Sequence, residues 1–254
     1  MKTLLFDLDG TLSESREKIG QEIPDLLESL SDEYAIGIVS GSGIDFISEQ
    51  ISDAFSEKFM SQLIIMPCNG TKRYQWKDGE YVCVFDSDMV DEVGRVEYSD
   101  LLSRLLREQY KFMMDTHISL DCTGTFFDYR GSMLNWSPMG RNGNKETRRT
   151  FVKFDRENNY RFEVIEDLKK YTNSQRIKVE IKLGGDTSFD IFPVGWDKTF
   201  CLRHLDSSIE DIRFFGDRCF PGGNDYEISR VVKKSHQVSG PDETSRILRT
   251  ILEK

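Results

Sequence analysis

Apolar runs alternate with helix-period patterns through the first 70 residues of the chain. The opening LLF, then AIGIVSGSG at 35–43 and LIIMP at 63–67, are rich in apolar residues, as strands buried on both faces of a parallel sheet are. Between them, residues 15–34 and 45–59 place apolar side chains at helical spacing. The alternation predicts β-α-β units and a doubly wound parallel sheet.

The pattern changes near residue 80 and changes back near residue 200. Segments 80–85, 118–140 and 175–193 read as extended, with helices predicted over 96–112 and 158–173. The alternating strands favour an antiparallel sheet with one covered face. After them, IRFFGD predicts another short buried strand and DETSRILRTILEK a closing helix.

This order predicts an α/β protein with an inserted domain. We expect residues 1–84 and 192–254 to form a doubly wound parallel-sheet core. Residues 85–191 are expected to form an inserted α+β domain built on an antiparallel sheet.

Composition limits the classes of partner. The chain of 254 residues carries a net charge of −10 and shows no basic stripe, which argues against a nucleic-acid surface. No segment reaches the roughly 18 consecutive apolar residues of a membrane helix, and no signal peptide precedes the first strand. Five cysteines without CxxC spacing favour reduced thiols over a disulfide or zinc framework. We therefore expect a cytoplasmic protein with no nucleic-acid or membrane partner.

Two acids, Asp7 and Asp9, follow the first apolar run in the segment DLDGT. Open α/β sheets keep their sites at the carboxyl ends of strands, so both carboxylates are expected there. Two carboxylates at this spacing can converge on one Mg²⁺, and the following Gly-Thr turn can direct backbone N–H groups at a phosphate. One carboxylate can then act as a nucleophile and form an aspartyl phosphate, with its neighbour transferring protons. An ordinary polar turn is the alternative.

Later segments supply what such a site lacks. Ser40 and Ser42 follow the second predicted strand and offer a hydroxyl and backbone donors to a phosphate. Lys198 can neutralise the charge of two acids and a phosphoryl group. Asp217, at the end of another apolar strand, and Asp225 add hard oxygen ligands for Mg²⁺. The acid pair, hydroxyl, lysine and distal acid, in this order, form a specific signal for phosphoryl transfer.

In this order the motifs resemble those of the haloacid dehalogenase-like superfamily of phosphotransferases. The resemblance implies Asp7 as nucleophile, Asp9 as general acid/base, Ser40 or Ser42 as the second-motif hydroxyl, and Lys198 as the third-motif lysine. The metal ligands it implies are Asp7, Asp9, Asp217 and Asp225, with Asp217 the main distal one. The inserted segment resembles the larger α/β cap of the superfamily's sugar-phosphate branch.

Three arginines, Arg130, Arg141 and Arg148, lie in DYRGSMLNWSPMGRNGNKETRR within the inserted segment. Guanidinium forks bind phosphate bidentately, so arginines from separate places can hold a second phosphate. Ordinary surface arginines are the alternative for any one of them. As a whole, the stretch is similar to the RNGMLNVSPIGR signature of the eukaryotic-type phosphomannomutases.

That resemblance extends over nearly the whole chain. FDLDGTLSESREKI resembles the family's opening, and GGDTSFDIFPVGWDKTFCL and FFGDRCFPGGNDYEI resemble its later blocks. The substrate contacts it implies are Arg16, Ser42, Arg130, Arg141, Arg148, Ser188 and Asp190. Ser42 is a better match than Ser40, because the second motif reads SGSG where the family has GGSD. The arginine stretch also departs from the signature, at Gly131, Ser132 and Trp136.

The family resemblance implies a Mg²⁺-dependent enzyme that interconverts mannose 6-phosphate and mannose 1-phosphate and feeds GDP-mannose synthesis. It implies an aspartyl-phosphate enzyme, with hexose 1,6-bisphosphate as intermediate and activator, and a homodimer formed through the cap. A sugar-phosphate phosphatase, in which water attacks the aspartyl phosphate, needs the same core. A non-catalytic binding protein is a further alternative, disfavoured by the complete set of acids and lysine. The arginine trio favours the mutase, because a phosphatase needs no second phosphate site.

Overall fold

The structure is a computed structural model that describes residues 2–15, 17–115, 118 and 120–253. Arg16, a predicted substrate contact, lies outside the described residues. The chain divides into two compact units: a core unit, up to residue 86 and from 196 onward, and an inserted unit, residues 87–195. The strands of the described residues are β1 (Lys2–Phe6), β2 (Tyr34–Val39), β3 (Ile64–Met66), β4 (Lys72–Lys77), β5 (Glu80–Asp86), β6 (Phe127–Tyr129), β7 (Leu134–Trp136), β8 (Val179–Gly184), β9 (Ser188–Pro193), β10 (Ile212–Gly216) and β11 (Lys234–Gln237).

Helices accompany both sheets. They are α1 (Glu22–Leu30), α2 (Ile44–Ile51), α3 (Glu57–Met60), α4 (Met89–Val93), α5 (Arg95–Asp115), α6 (Lys145–Asn158), α7 (Tyr160–Gln175), α8 (Tyr226–Val231) and α9 (Pro241–Leu252). Short 3₁₀ helices cover Cys68–Gly70, Lys198–His204 and Ile209–Asp211. Within the described residues, no helix combines the length and apolar character needed to cross a membrane.

The core unit contains a seven-stranded sheet in the order β11-β10-β1-β2-β3-β4-β5. Its strands are parallel from β11 to β3, and β4 and β5 are antiparallel additions at one edge. The predicted α/β class with a mostly parallel sheet is confirmed. The segment 80–85 was grouped by its pattern with the antiparallel strands, although most of it lies within the predicted core range 1–84. It forms most of β5 in the seven-stranded sheet of the core unit.

Strand β1, an interior strand of this sheet, shows why the apolar run is continuous. Leu4 and Phe6 lie in one buried cluster and Leu5 in another, because successive side chains of a strand point to opposite faces of the sheet. All three side chains are fully buried. Both faces of the strand are therefore covered, and the first carboxylate follows directly at its end.

Two predicted helices are shorter than the periodicity suggested. The pattern over 45–59 divides into α2 and α3, because the chain turns at Asp53, whose φ is +61°. A new helix, α3, follows the turn, and the Ser56 side chain caps it by accepting a hydrogen bond from the Phe59 N–H. The pattern over 15–34 forms a helix only from Glu22.

The inserted unit contains a four-stranded antiparallel sheet in the order β6-β7-β9-β8. Helices α5 and α7 contribute buried leucines to the same cluster as the β7 side chains Leu134 and Trp136. The segment 118–140 was predicted as extended, and of its described residues only those of β6 and β7 form strands. Strand β9 runs on to Pro193, which pairs with Val179 in β8, so the sheet continues past residue 191, the predicted end of the insertion.

Candidate functional site

Asp7 lies immediately after β1, at the carboxyl edge of the core sheet. Its main-chain N–H donates to the Phe215 carbonyl of β10 at 2.9 Å, and only 3% of the residue is exposed. The Lys198 ammonium donates to the Oδ1 atoms of both Asp7 and Asp225. The Lys198 side chain is completely buried, as is Asp225. A buried cation thus lies between two buried carboxylates, which is the pairing that buried charges require.

A third acid, Asp217, completes the group. Carboxylate oxygens of Asp7, Asp217 and Asp225 all lie within 4.8 Å of one another. Gly10, with φ of +79°, makes room for this group, since a Cβ there would stand 2.7 Å from Asp217 Oδ2. Hard carboxylate oxygens at this separation match the ligand preference of Mg²⁺, so the donor set fits that ion.

Burial and charge act in opposite directions in this group. Burial raises the pKa of Asp7 above that of an ordinary carboxyl, and Lys198 opposes that rise. Burial lowers the pKa of Lys198, but the facing carboxylates outweigh it and the net shift is upward. Burial and the neighbouring Asp225 also raise the pKa of Asp217. Lys198 pairs with Asp7 and Asp225, whereas Asp217 Oδ2 lies 3.7 Å from the Nε of the exposed Arg218.

Asp9 is not a member of the three-carboxylate group. Its Oδ1 accepts a hydrogen bond of 3.1 Å from the Gln50 side-chain amide, and the Gln50 Oε1 accepts one of 2.8 Å from the Ser13 hydroxyl. Of the four predicted metal ligands, the structure therefore brings together the other three. Gln50 was missed from the sequence, although its position on the apolar face of α2, between Ile47 and Ile51, was a signal.

The two second-motif serines follow β2, the neighbour of β1 in the sheet. Ser40 is 3% exposed, and its hydroxyl accepts a hydrogen bond of 3.1 Å from the Ser42 N–H. Main-chain N–H groups of Cys68 and Asn69 donate to the carbonyls of Ser42 and Ser40. The Ser40 hydroxyl thus belongs to the internal structure of this loop, whereas the half-buried Ser42 is more open to a ligand.

The inserted unit brings the three predicted arginines into one cluster. Arg130 Nε and Arg141 Nη1 lie 3.1 and 3.4 Å from the same oxygen of Asp128. Arg148 donates to the Arg141 carbonyl at 2.6 Å and, from its other terminal nitrogen, to the Thr187 hydroxyl at 3.4 Å. Arginines that are separated along the chain are therefore neighbours in space.

Asn135 connects these arginines to the two predicted sugar contacts. Its amide nitrogen donates to Ser188 Oγ at 3.0 Å and to Asp190 Oδ1 at 2.6 Å, and its carbonyl oxygen accepts from Arg141 at 2.7 Å. The sheet register places Asn135 opposite Asp190. Burial raises the pKa of Asp190, and burial together with the charge of Arg130 lowers that of Arg141.

Asn135 and Asp128 were not among the site residues predicted from the sequence. Their signal was the alternation in the two short strands: Asn135 is a buried amide between the buried Leu134 and Trp136. Three arginines and two aspartates leave this cluster with one net positive charge, which favours an oxyanion. The Arg130 and Arg141 side chains remain 25% and 39% exposed, so their donors are accessible.

Sequence comparison finds relatives that match this chain over nearly its whole length. The profile of the family described as eukaryotic phosphomannomutase matches residues 23–254. Phosphomannomutase 1 of Dictyostelium discoideum is 35% identical over 253 residues, which cover 98% of this chain and 96% of that protein. The Saccharomyces cerevisiae phosphomannomutase is 34% identical over 253 residues, which cover 96% of this chain and 92% of that protein.

Among solved structures, the fold resembles that of an IMP-nucleotidase from Plasmodium falciparum. The TM-score is 0.66 at 15% identity, and the match covers 100% of this chain and 68% of that one. This likeness shows the fold alone. The sequence matches show that the chain belongs to the eukaryotic phosphomannomutase family.

Proposed function

We propose that this protein interconverts mannose 6-phosphate and mannose 1-phosphate. The observation that carries the proposal is the pairing of Asp7 with Lys198 at the end of β1, in a chain whose inserted unit holds a second cluster of oxyanion donors. The first arrangement suits phosphoryl transfer and the second suits retention of a phosphorylated sugar.

The chemistry assigned to the core unit is nucleophilic catalysis by Asp7. A phosphate on the Asp7 carboxylate is attacked at phosphorus by the free hydroxyl of the sugar phosphate. Asp9 takes the hydroxyl proton, a new P–O bond to the sugar forms, and the bond to Asp7 breaks to release the carboxylate. The hexose 1,6-bisphosphate then turns end for end, and Asp7 takes the other phosphoryl group while Asp9 returns the proton.

Mg²⁺ is assigned to Asp7, Asp217 and Asp225, with Asp9 as the remaining predicted ligand. When bound, this ion supplies Lewis-acid stabilisation of charge on the transferred phosphoryl group. Lys198 contributes a second positive charge to the same region and holds the Asp7 carboxylate in place. The Ser42 hydroxyl is proposed to bind the phosphoryl oxygens.

The inserted unit is proposed to bind the phosphate that is not reacting. Arg130, Arg141 and Arg148 supply the guanidinium donors, and Ser188 with Asp190 contact the sugar hydroxyls. Retention of the bisphosphate follows, because either of its phosphates can occupy this cluster. Hexose 1,6-bisphosphate is also the proposed activator, since it can phosphorylate a free Asp7.

Three further proposals rest on the family resemblance. We expect a homodimer formed through the inserted unit, a cytoplasmic location, and use of the product in GDP-mannose synthesis. Exposed apolar side chains on α5 support the homodimer, namely Val96, Leu106, Tyr110, Met113 and Met114. A monomeric mass by light scattering at micromolar concentration would reject it.

The deciding experiment measures phosphate release and isomerisation in the same reaction. With mannose 1-phosphate, Mg²⁺ and hexose 1,6-bisphosphate, we expect mannose 6-phosphate to accumulate much faster than inorganic phosphate. Dominant phosphate release would make the protein a phosphatase, and neither product would make it a binding protein. Asp7→Asn should abolish both products, whereas Asp45→Asn, a change at an exposed acid of α2, should leave them intact.

A further inference from the structure

A separate cavity of about 350 Å³ opens in the core unit at the opposite end of the sheet from Asp7. Thr3, Tyr34 and Ile64 line it, and they lie at the amino ends of β1, β2 and β3. Asp7 lies four residues beyond Thr3 along β1, which corresponds to about 13 Å of strand. The cavity is therefore distinct from the three-carboxylate group. Its volume is at the lower end of the range for pockets that bind small organic ligands.

Arg73, on β4, gives this cavity a positive charge. Among the residues that the structure describes, the buried Nε of Arg73 has no hydrogen-bond partner, and no carboxylate lies within ion-pair distance of its guanidinium. A guanidinium offers five N–H donors in a planar fork, and it cannot lose its charge in a protein. The half-buried Arg73 lines the cavity and has no ion-pair partner among the described residues, so an oxyanion in the cavity would supply the missing counter-charge.

The other ionisable groups of the lining do not compete for Arg73. Burial lowers the pKa of His204, and its Nε2 donates a hydrogen bond to the Gly70 carbonyl at 2.6 Å, so the ring is neutral near pH 7. Asp206 lies on the exposed rim and forms no ion pair with Arg73. Of the described lining residues, Arg73 is thus the one that is positively charged at neutral pH.

The remainder of the wall is mostly apolar. Ile36, Phe59 and Tyr34 are 2%, 3% and 8% exposed and form a rigid apolar surface within the core. The hydroxyls of Thr3 and Ser207 lie 2.6 Å apart and satisfy each other. A ligand for this cavity therefore combines one oxyanion with an apolar body. A bare inorganic anion would leave the apolar wall uncovered.

We propose that this cavity binds a small amphipathic organic anion, a carboxylate or phosphomonoester with an aromatic or aliphatic body, whose oxyanion pairs with Arg73. The site is separate from the proposed phosphomutase chemistry. Its occupancy can be measured whether or not the protein isomerises sugar phosphates.

The test uses three fluorinated probes observed by ¹⁹F NMR with the full chain. They are 4-fluorobenzoate, 4-fluorophenyl phosphate and the neutral 4-fluorobenzamide. Chelator is present to suppress turnover of the phosphate ester, and saturating mannose 6-phosphate occupies sugar-phosphate sites. We expect at least one anionic probe to bind with a millimolar or lower Kd. The neutral amide should bind at least about tenfold more weakly, because it cannot form the charged hydrogen bond with Arg73. The ranking of the two anions identifies the preferred headgroup.

Matched variants locate the site. Arg73→Met removes the guanidinium and keeps an unbranched apolar stem, so probe binding should weaken by about tenfold or more. Arg203→Met removes the same charge from an exposed arginine that stacks on Phe200 and does not line the cavity, so binding should be unchanged. Circular dichroism and thermal melting confirm that both variants are folded.

Four results would overturn the proposal. They are no binding of either anion, equal binding of the amide, equal losses in the two arginine variants, and probe binding that occurs only when mannose 6-phosphate is left out. The last would assign the probe to a sugar-phosphate site. A failure of mutase activity with normal probe binding would affect only the proposed function.

Discussion

The Gln50 side chain donates a hydrogen bond of 3.1 Å to Asp9, although 41 positions separate the two residues in the chain. Gln50 is 3% exposed and is itself held by the Ser13 hydroxyl at 2.8 Å. The hydrogen-bond chain Ser13–Gln50–Asp9 links two buried side chains to the half-buried carboxylate that is proposed to move the proton. We propose that Gln50 acts through Asp9 as a positioning residue.

Replacing Gln50 with Met should lower kcat by about tenfold and leave the KM for sugar phosphate nearly unchanged. The reason is that Asp9 loses the hydrogen bond from Gln50 but keeps its carboxylate. Asp9→Asn, in contrast, removes the proposed acid/base itself and should lower the rate by about 10² to 10⁴. Steady-state isomerisation assays measure both. Gln21→Met is the control, since Gln21 is exposed and makes no capping hydrogen bond. A large rise in KM alone would contradict the positioning role.

Asp217→Asn should increase the Mg²⁺ concentration needed for half-maximal activity by at least about tenfold. The change removes one negative charge from the three-carboxylate group while keeping the size of the side chain. Titration of activity with Mg²⁺ in metal-buffered solution gives the value, and excess chelator should abolish activity of the unaltered protein. Asp211→Asn, at an exposed acid in the same unit, should not shift the titration. Full activity in chelator would refute the metal assignment.

Arg141→Ala should abolish isomerisation while Asp7 still accepts a phosphoryl group from acetyl phosphate. The small donor has no second phosphate, so it does not depend on the inserted unit's arginines. Sugar-phosphate binding should weaken by about 2 to 3 kcal/mol, the scale of charged hydrogen bonds lost from a desolvated site. Trapped aspartyl phosphate and mannose 6-phosphate formation are measured in parallel.

Arg149→Ala is the matched control for that experiment, because Arg149 is exposed and adjacent to Arg148 along α6. It removes the same charge from the same unit and should leave both activities intact. If Arg141→Ala lowers both activities together, or neither, then Arg141 is not a ligand of the distal phosphate. The phosphatase alternative would then be the better one.

The stability of the core unit should fall as the pH drops through the range in which His236 takes up a proton. Burial, with Arg213 and Lys234 nearby, lowers the pKa of His236 below its usual value of 6.5, and its Nε2 is buried without a partner among the described residues. Below pH 6.5 the unfolded chain binds the proton more readily than the folded one, so acid favours unfolding. The stability that the neutral His236 contributes is complete above pH 6.5 and is lost as the pH falls through the pKa of His236 in the folded protein.

His236→Phe removes this titration and keeps a ring that can stack on Phe215, whose centroid is 4.7 Å away. The Tm difference, variant minus unaltered protein, should therefore grow as the pH is lowered from 7 to 5. Differential scanning calorimetry at several pH values measures it. A constant or shrinking difference would show that His236 does not contribute to acid sensitivity.

The core cluster was largely predictable because its residues follow strands. Asp7 and Asp217 terminate apolar runs, and parallel strands bring their carboxyl ends to one edge of the sheet. Lys198 and Asp225 could be predicted only from the order of the motifs along the chain. Each lies in a loop or a short 3₁₀ helix, and hydrophobic periodicity does not predict the path of the chain there. The roles of these residues remain predictions, whereas their proximity is a property of the fold.

What the sequence did not reveal depends on tertiary contacts. Asn135 and Asp128 become informative only when β7 pairs with β9 and with β6, because pairing sets which side chains share a face. Helix α6 was missed because it has few apolar residues, and its beginning is fixed by Asn144, whose side chain caps Thr147. The break at Asp53 was hidden by apolar residues that continue at helical spacing beyond it.

The interior strand β1 is made early in synthesis, but its partner β10 begins at Ile212. A ribosome adding about 5 to 20 residues per second needs about 10 to 40 s to reach that partner, so one edge of β1 stays unpaired during that time. The strands of the inserted unit, in contrast, pair only with one another, between Phe127 and Pro193. The nascent chain can therefore complete the inserted sheet before it can close the sheet that carries Asp7. Truncation before Ile212 would leave the sheet edge that carries Asp7 without Asp217 and without Asp225, the second carboxylate partner of Lys198.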